Sequence, residues 1–85
     1  MAHYRNGLQI VRAAQWRGNV ISEVLGVLAP GNTIRRMGNE RLAIHTPQRE
    51  TLLATPGDWV VLDAAGCQHV ISDHVFKATT QEITQ

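Results

Sequence analysis

The stretch that decides the fold is Thr-Pro-Gly-Asp-Trp-Val-Val-Leu, residues 55–62. A Pro-Gly turn leads directly into a Trp and β-branched residues, a combination typical of the start of a strand. Segments able to pair with such a strand lie on both sides of it, at residues 41–46 and 51–54 before it and at residues 68–72 after it. We therefore expect Trp59–Leu62 to be a central strand.

The sequence before this stretch predicts a strand, a helix and a second, shorter strand. Residues 8–16 place most of their apolar side chains at alternate positions, which favours an extended strand. Asn19 is a suitable N-cap for a helix over residues 20–28, where apolar residues recur at helical spacing. A Pro-Gly-Asn sequence then stops the helix, and residues 33–37 predict a short strand.

The second half of the sequence predicts two hairpins. Residues 41–46 alternate in the manner of a strand, and a polar loop at residues 47–50 joins them to residues 51–54. Residues 68–72 follow a turn that contains glycine, so they are expected to return alongside Trp59–Leu62.

The last part of the chain predicts one helical turn and an edge strand. Ser72 or Asp73 can cap a helical turn that runs through Phe76. The polar, Thr-rich residues 77–85 predict partly an edge strand and partly a frayed end.

Together these elements predict one α+β domain over residues 1–85, with residues 1–7 and 80–85 frayed. We expect an antiparallel β-sheet of about four to six strands with one α-helix packed on a face. The core candidates come from nearly every element: Ile10, Trp16, Val24, Leu28, Leu42, Ile44, Leu52, Trp59, Val61 and Phe76.

Length and cysteine content restrict the classes of protein that this chain can be. Its 85 residues leave room for one hydrophobic core and none for a separate catalytic domain. Cys67 is the only cysteine, so no intramolecular disulfide forms. No segment approaches the ~20 apolar residues of a membrane span, and the start lacks the apolar region of a signal peptide. We expect a cytoplasmic protein.

The positive charge is concentrated in arginine. Net charge is only +1, but seven of the eight cations are Arg, the residue best suited to paired contacts with carboxylate or phosphate. One cluster stands out around the Gly-Asn turn at residues 38–39. It predicts either a loop that presents guanidinium groups to a partner or charges that protect an edge strand from pairing. The candidate binding residues are Arg35, Arg36, Met37, Asn39 and Arg41.

A metal site or a catalytic site is less favoured. Cys67, His69, His74 and His45 offer zinc ligands, but their spacing matches no standard zinc pattern. Cys67 and His69 with Asp63 supply the residue types of a nucleophilic site, although on an exposed hairpin. We therefore predict no enzyme activity, no metal and no cofactor.

The two tryptophans favour the core over nucleic-acid binding. Trp16 and Trp59 are potential platforms for stacked bases. Both lie within apolar alternation on predicted strands, however, which is typical of core aromatics. A net charge of +1 also gives little attraction to nucleic acid. Direct nucleic-acid binding is therefore not expected.

Short motifs in a fixed order run along nearly the whole chain. They are a Tyr-Arg start, a Gln-Trp strand end, a Leu-x-Ile-x-Thr strand, a Pro-Gly-Asp-Trp motif, a turn glycine and a Phe-x-Ala-Thr ending. The residues that carry them are Tyr4-Arg5, Gln15-Trp16, Leu42-Ala43-Ile44-His45-Thr46, Pro56-Gly57-Asp58-Trp59, Gly66 and Phe76-Lys77-Ala78-Thr79. On these motifs the chain resembles a family of small bacteriophage and prophage proteins. It departs from the family where Ile71 stands at the usual cysteine, so no role of that cysteine is carried over.

This resemblance implies a phage product that works in the cytoplasm of a bacterial host. By analogy with other small phage proteins, the expected function is neutralisation of a bacterial defence component through protein–protein binding, as an anti-CRISPR inhibitor does. The first alternative is an oligomeric sponge that sequesters a nucleotide immune messenger. The second is a small nucleic-acid-binding or structural phage protein. A host protein or protein–RNA complex is the expected partner, and a homodimer is an open alternative.

Overall fold

Two antiparallel sheets account for most of the chain in a computed structural model that describes residues 2–6 and 9–82. A short 3-10 turn, Gly38–Glu40, lies between the third and fourth strands. In chain order the elements are β1 (Ala2–Asn6), β2 (Gln9–Gln15), α1 (Ser22–Leu25), β3 (Thr33–Arg36), β4 (Leu42–His45), β5 (Thr51–Ala54), β6 (Trp59–Leu62), β7 (Gln68–Ile71), α2 (Asp73–Thr79) and β8 (Thr80–Glu82).

The strands divide into a large sheet of order β7-β6-β2-β1-β8 and a small sheet of order β3-β4-β5. The α+β class predicted from the sequence is confirmed, with two sheets in place of one. Strand β6 lies inside the large sheet, as expected, and its hairpin with β7 is also as expected. Its other neighbour is β2, however, whereas the β4–β5 hairpin forms separately as part of the small sheet. Local pairing was predictable because hairpins join consecutive strands, but assignment to sheets depends on long-range contacts.

The large sheet is the middle layer, because side chains alternate between its two faces along each strand. One face packs against the small sheet and α1 around a shared core. The other face packs against α2 through Phe76, with Val11, Ala13 and Val61 as its buried neighbours. The shared core consists of Ala14, Trp16, Val24, Val27, Leu42, Ile44, Ala54 and Val60.

Most of the predicted core residues are buried. Leu28, Leu52 and Trp59 are half-buried and pack against the two clusters. The prediction for Ile10 was wrong, because its side chain is 54 % exposed. Pairing between β2 and β6 begins only at Arg12, so Ile10 lies beyond the end of its neighbouring strand. The fully buried candidates are Trp16, Val24, Leu42, Ile44, Val61 and Phe76.

The start of the chain differs most from expectation. Residues 2–6, expected to be frayed, form β1, which pairs with β2 on one side and β8 on the other. Residues 80–82, also expected to be frayed, form β8, which is the edge strand expected within residues 77–85. The fraying expected at residues 1, 7 and 83–85 concerns positions outside the described residues. Pairing on both sides satisfies the backbone hydrogen bonds of β1. The sequence pattern of residues 2–6 did not predict this strand.

The helices also differ in length from prediction. Helix α1 is one turn, Ser22–Leu25, in place of residues 20–28, and Ile21 rather than Asn19 occupies its N-cap position. β-Branched residues have low helix propensity, so packing of Val24 against the sheet holds this turn. Helix α2 is longer than the expected single turn, and the Ser72 side chain caps it by accepting from Val75 N. No helix in the described part of the chain is long and apolar enough to cross a membrane.

Candidate functional site

The Pro-Gly-Asp-Trp motif connects the start of β6 to the end of β2 through hydrogen bonds. The Asp58 carboxylate accepts hydrogen bonds from the backbone N and the Oγ1 of Thr55, both at 3.0 Å. Gly57, at a φ of +100°, donates its N–H to the Trp16 carbonyl at 2.6 Å. Trp16 N donates in turn to the Asp58 carbonyl at 2.8 Å. The Gln-Trp and Pro-Gly-Asp-Trp motifs therefore contact each other directly, and their hydrogen bonds hold the end of β2 against the start of β6.

Three aromatic rings pack under α2. Trp59 and Phe76 stack with centroids 4.0 Å apart and planes 7° from parallel. Tyr4 meets both rings edge-on, at 5.6 Å from Trp59 and 5.1 Å from Phe76. Edge-to-face and stacked contacts are the favoured geometries of aromatic pairs. One face of the Trp59 ring is thus packed in the protein's own core, in line with the sequence-based prediction that Trp59 is a core aromatic residue.

The Asp73 carboxylate ties this aromatic group to β2 and α2. Its Oδ1 accepts from Trp59 Nε1 at 2.8 Å and from Gln15 Nε2 at 3.3 Å, and Lys77 Nζ lies 3.1 Å from Oδ2. The indole N–H of Trp59, followed by Lys77, holds the pKa of Asp73 below its usual value. Asp73 is therefore ionised at neutral pH and serves as an acceptor, not as a general acid.

The arginine cluster predicted from the sequence is divided between two faces of β3. Arg36 shares the core-facing side with Leu42, its partner across the strand pair. Its guanidinium lies 5.6 Å from the centroid of the Trp16 ring and donates to the Asn19 carbonyl at 2.9 Å. A cation above an indole stabilises the fold. Arg36 is exposed, but its guanidinium is engaged by Trp16 and Asn19 of the same molecule, and Arg35 lies on the opposite face.

The remaining candidates share the face of the small sheet that points away from the shared core, here called the outer face. Strand pairing aligns Arg35 with Ala43 and Ala43 with Leu53 in one row. Met37 N donates to the Arg41 carbonyl at 2.8 Å, which aligns these two residues in the next row. Because alternate residues share a face, the outer face includes Arg35, Met37, Arg41, Ala43 and Leu53, with Thr33, His45 and Thr51 in the row on the other side of Arg35.

The outer face combines exposed apolar side chains with two arginines that form no ion pair among the described residues. Ala43 forms a floor that is only 1 % exposed, whereas Met37 and Leu53 are 38 % and 50 % exposed. Arg41 Nε donates to the Gly38 carbonyl at 3.2 Å, which anchors one nitrogen of its guanidinium group. Within residues 2–6 and 9–82, neither Arg35 nor Arg41 forms an ion pair with a carboxylate. Their guanidinium groups are available to an external acceptor.

The turn before β4 holds Asn39 and Glu40 in a left-handed conformation. Their φ angles are +61° and +60°, a region that Asn occupies more readily than most residues. Both side chains are exposed. The Glu40 carbonyl accepts from Trp16 Nε1 at 2.8 Å, so the turn is attached to the core. Asn39 therefore lies on a fixed turn next to the outer face, so four of the five predicted binding residues, all except Arg36, lie on or beside that face.

Three of the residues considered for metal or nucleophilic chemistry, Asp63, Cys67 and His69, meet at one turn, whereas His74 lies in α2. Asp63 Oδ1 accepts from the backbone N of Ala65 at 3.0 Å and of Cys67 at 2.9 Å, and Oδ2 lies 2.9 Å from His69 Nε2. The hydrogen bond from His69, followed by that from Cys67, lowers the pKa of Asp63. His45 Nδ1 instead lies 3.1 Å from Thr51 Oγ1. In the described residues no three or more His, Cys, Asp or Glu side chains are placed to hold a metal ion.

A groove of about 630 Å³ beside the end of β2 was not predicted from the sequence. It lies between α1 and the aromatic group under α2, and one wall depends on β1. Since residues 1–7 gave no strand pattern, the sequence offered no signal for this wall. The lining residues are Tyr4, Ala13, Ala14, Gln15, Arg17, Ser22, Glu23, Gly26 and Trp59.

Comparison with known proteins adds no assignment to this geometry. No protein-family model, curated protein or solved structure matches the chain. The resemblance to phage proteins therefore stays a prediction that rests on the short motifs alone.

Proposed function

We propose that this protein acts by binding, with the outer face as the contact surface for an acidic region of a partner protein. The observation that carries the proposal is that Arg35 and Arg41, without a carboxylate partner among the described residues, flank the exposed Met37 and Leu53. Apolar contact supplies area, and guanidinium groups supply paired hydrogen bonds to carboxylates. Strand pairing keeps these side chains at fixed spacing, which lowers the entropic cost of binding.

The partner class that we propose is a bacterial defence protein or protein–RNA complex. It follows from the resemblance to small phage proteins, which implies a phage product acting in the cytoplasm of its host. Inhibition of a CRISPR surveillance complex by occupation of its surface is the specific form that we favour. Such inhibition requires no catalysis, which suits a chain in which the Asp63 carboxylate holds a turn and the Asp73 carboxylate holds a helix contact.

The experiment compares the parent chain with Arg35→Ala/Arg41→Ala in a bacterial strain with active CRISPR immunity. The parent is expected to co-purify with a host immune complex and to lower immunity. The double variant is expected to melt as the parent does while binding weakens about a hundredfold, on the order of 3 kcal/mol. Arg49→Ala is the matched control, since it removes an exposed arginine from the β4–β5 loop outside the outer face.

Two outcomes would contradict the proposal. One is a parent chain that neither retains a host partner nor reduces immunity. The other is a double variant that binds and inhibits as well as the parent. Self-association through the outer face would appear as a dimer in sizing chromatography that the double variant dissociates.

A second candidate function, a nucleotide sponge, has the groove as its potential site. A volume of about 630 Å³ is within the range of small-molecule pockets, and Trp59, Tyr4 and Arg17 line it. Glu23 in the same lining opposes a polyphosphate, so this candidate ranks second. Mass spectrometry of the denatured protein tests it, because a sponge purified from cells releases a nucleotide. A small nucleic-acid-binding or structural role ranks third, given the net charge of +1.

A further inference from the structure

The two arginines of the outer face are diagonal neighbours across β3 and β4. Arg35 lies opposite Ala43, whereas Arg41 directly precedes β4, on the same face as Ala43 and opposite Met37. Side chains at diagonal positions of an antiparallel pair are about 7–8 Å apart at their base. The two guanidinium groups therefore extend from one face at a spacing that allows each to bind a different carboxylate of the same partner segment.

The rows of the outer face contain no acidic residue. Apart from the two arginines they consist of apolar residues, threonines and His45. Glu40 and Glu50 lie instead in the turn before β4 and in the loop after it. Carboxylates of a partner are therefore attracted to the centre of the face and repelled at its two ends.

A sheet face selects a different element from a sheet edge. The strands of the small sheet direct their backbone groups toward one another in the plane of the sheet, so a segment lying across the face has to satisfy its own backbone hydrogen bonds. An α-helix does so internally, and its diameter of about 10–12 Å matches the distance of about 10 Å between the outer strands of a three-stranded sheet. Helix α2 covers the outward face of the large sheet in this way.

The spacing of the arginines fits two acidic residues on successive turns of a helix. Residues four apart on a helix lie about 5–6 Å from each other on one side, and long arginine side chains can converge on such a pair. Neither described helix of this chain offers one, because α1 carries Glu23 alone and α2 carries Asp73 alone. These helices of a second copy therefore do not fit the face, and the helix has to come from another protein.

We propose that the outer face binds an amphipathic helix of the partner protein with two acidic residues at positions i and i+4. The acidic pair contacts Arg35 and Arg41, and apolar residues on the same side of the helix cover Met37 and Leu53. This inference rests on the proposed function, because it uses the same surface. It adds which structural element of the partner that surface recognises.

The test uses a phage-displayed library of helical peptides, selected on the intact chain. Each peptide is an Ala-rich helix of about eighteen residues, long enough to be helical in isolation, with one side randomised. We expect the enriched peptides to carry Asp or Glu at positions i and i+4 beside apolar residues. The affinity of a synthesised peptide should fall at least tenfold with Arg35→Ala/Arg41→Ala and stay unchanged with Arg49→Ala, the matched control.

A further variant separates binding from folding. Arg35→Ala alone keeps the bond from Arg41 to the Gly38 carbonyl and should still lower the affinity several-fold. Thermal melting checks that all the variants are folded.

Two changes to the enriched peptide test the geometry. Moving the second acidic residue from i+4 to i+2 places it on another side of the helix and should lower the affinity at least tenfold. Replacing both acidic residues by Lys should abolish binding to the parent and restore it with Arg35→Glu/Arg41→Glu.

Several results would overturn the proposal: a selection without enriched peptides, enriched peptides without an acidic pair, or binding that survives the loss of both arginines or the move to i+2. If the parent then still inhibits immunity through Arg35 and Arg41, the proposed function stands and only the helical partner is wrong. The two failures are thus distinguishable.

Discussion

Each sheet has one face that points away from the shared core, and the two faces differ in how far the chain itself covers them. The face of the large sheet under α2 is covered by Phe76 and stabilised by the hydrogen bond from Trp59 to Asp73. The outer face of the small sheet has no covering helix among the described residues, and Leu53 remains half exposed. One face is completed by the chain itself, whereas the other offers apolar area and cations to the surroundings.

This difference shows how a small chain distributes few apolar residues. A further helix, in addition to α1 and α2, would bury the outer face. The entropic cost of ordering that helix would have to be offset by the burial of a few side chains from three short strands. Arginine stems reduce the need for cover, because they lie along apolar surface while the guanidinium stays in water. The buried floor of Ala43 beside the exposed Arg35 agrees with this role. Residues that hold the fold and residues free to bind are therefore distinguishable by whether their polar groups have partners.

The largest expected effect is the loss of the covered face in Trp59→Ala. Truncation of a fully buried aromatic typically costs about 3–5 kcal/mol, and because Trp59 is half-buried we expect the lower end of this range, with the stack on Phe76 lost as well. Trp59→Phe keeps a ring in the stack and loses only the donor to Asp73, at about 1–2 kcal/mol. Urea titration of both variants measures these changes. A parent-like midpoint for Trp59→Ala would remove the basis for placing β6 inside the sheet.

The next largest effect concerns Gln68, whose amide connects β7 to the chain after α1. Its Oε1 accepts from Ala29 N at 2.7 Å, and its Nε2 donates to the carbonyls of Val27 at 2.9 Å and Val61 at 3.0 Å. Gln68→Leu leaves these groups without partners, so we expect a loss of about 2–3 kcal/mol. Gln48→Leu, at an exposed loop position, is the matched control and should stay within about 0.5 kcal/mol of the parent. Equal stabilities for the two variants would contradict the assigned hydrogen bonds.

Neighbouring arginines provide a direct test of the comparison. Arg36→Ala removes the cation above Trp16 and the bond to the Asn19 carbonyl, which we expect to cost about 1 kcal/mol. Arg35→Ala, one residue earlier on the outer face, should change stability by less than about 0.5 kcal/mol. Chemical denaturation of the two variants side by side measures the difference. Equal losses would mean that Arg35 also holds the fold.

The smallest expected effect is a pH dependence that comes from Asp73. Bonds from Trp59 and Lys77 lower its pKa in the folded chain below the ordinary 3.8, so the folded state binds a proton less readily than the unfolded state. The resulting stabilisation is complete above pH 3.8 and is lost as pH falls through the lowered pKa. Melting temperatures of the parent between pH 5 and pH 2 should therefore fall more steeply than those of Asp73→Asn. Asp63 contributes in the same window, since its pKa is lowered too. Parallel curves for the parent and Asp73→Asn would exclude this role.

Local pattern predicted the hairpins well and long-range pairing poorly. The β4–β5 and β6–β7 strands followed from alternation and turn residues, which act between neighbours in sequence. Strand β1 was missed because its extended state comes from β2 and β8 on both sides. The helix prediction was wrong about its start at Asn19, because the backbone becomes helical only at Ser22 and Ile21 takes the N-cap position. A side chain suited to capping does not by itself fix where a helix begins.

Part of the candidate site could be predicted, because period-two alternation already separates Arg35 from Arg36. The sequence could not identify which of the two lies against Trp16, since that depends on how the small sheet packs on the large one. The groove could not be predicted from the sequence for the same reason. Its walls come from Tyr4, α1 and Trp59, which are distant in sequence and meet only through sheet order.

The pairing of β1 with β8 has a consequence for how the protein is made. Tyr4 lies opposite Glu82, so this strand pair joins segments that are far apart in the sequence. Contacts of such high sequence separation raise contact order and slow folding, because a long loop must close before they form. On the ribosome, the β1–β2 and β6–β7 hairpins can form as they emerge, but β8 cannot join the large sheet until residues 80–82 have emerged. Until then, the edge of β1 is exposed in the nascent chain to any strand that reaches it first.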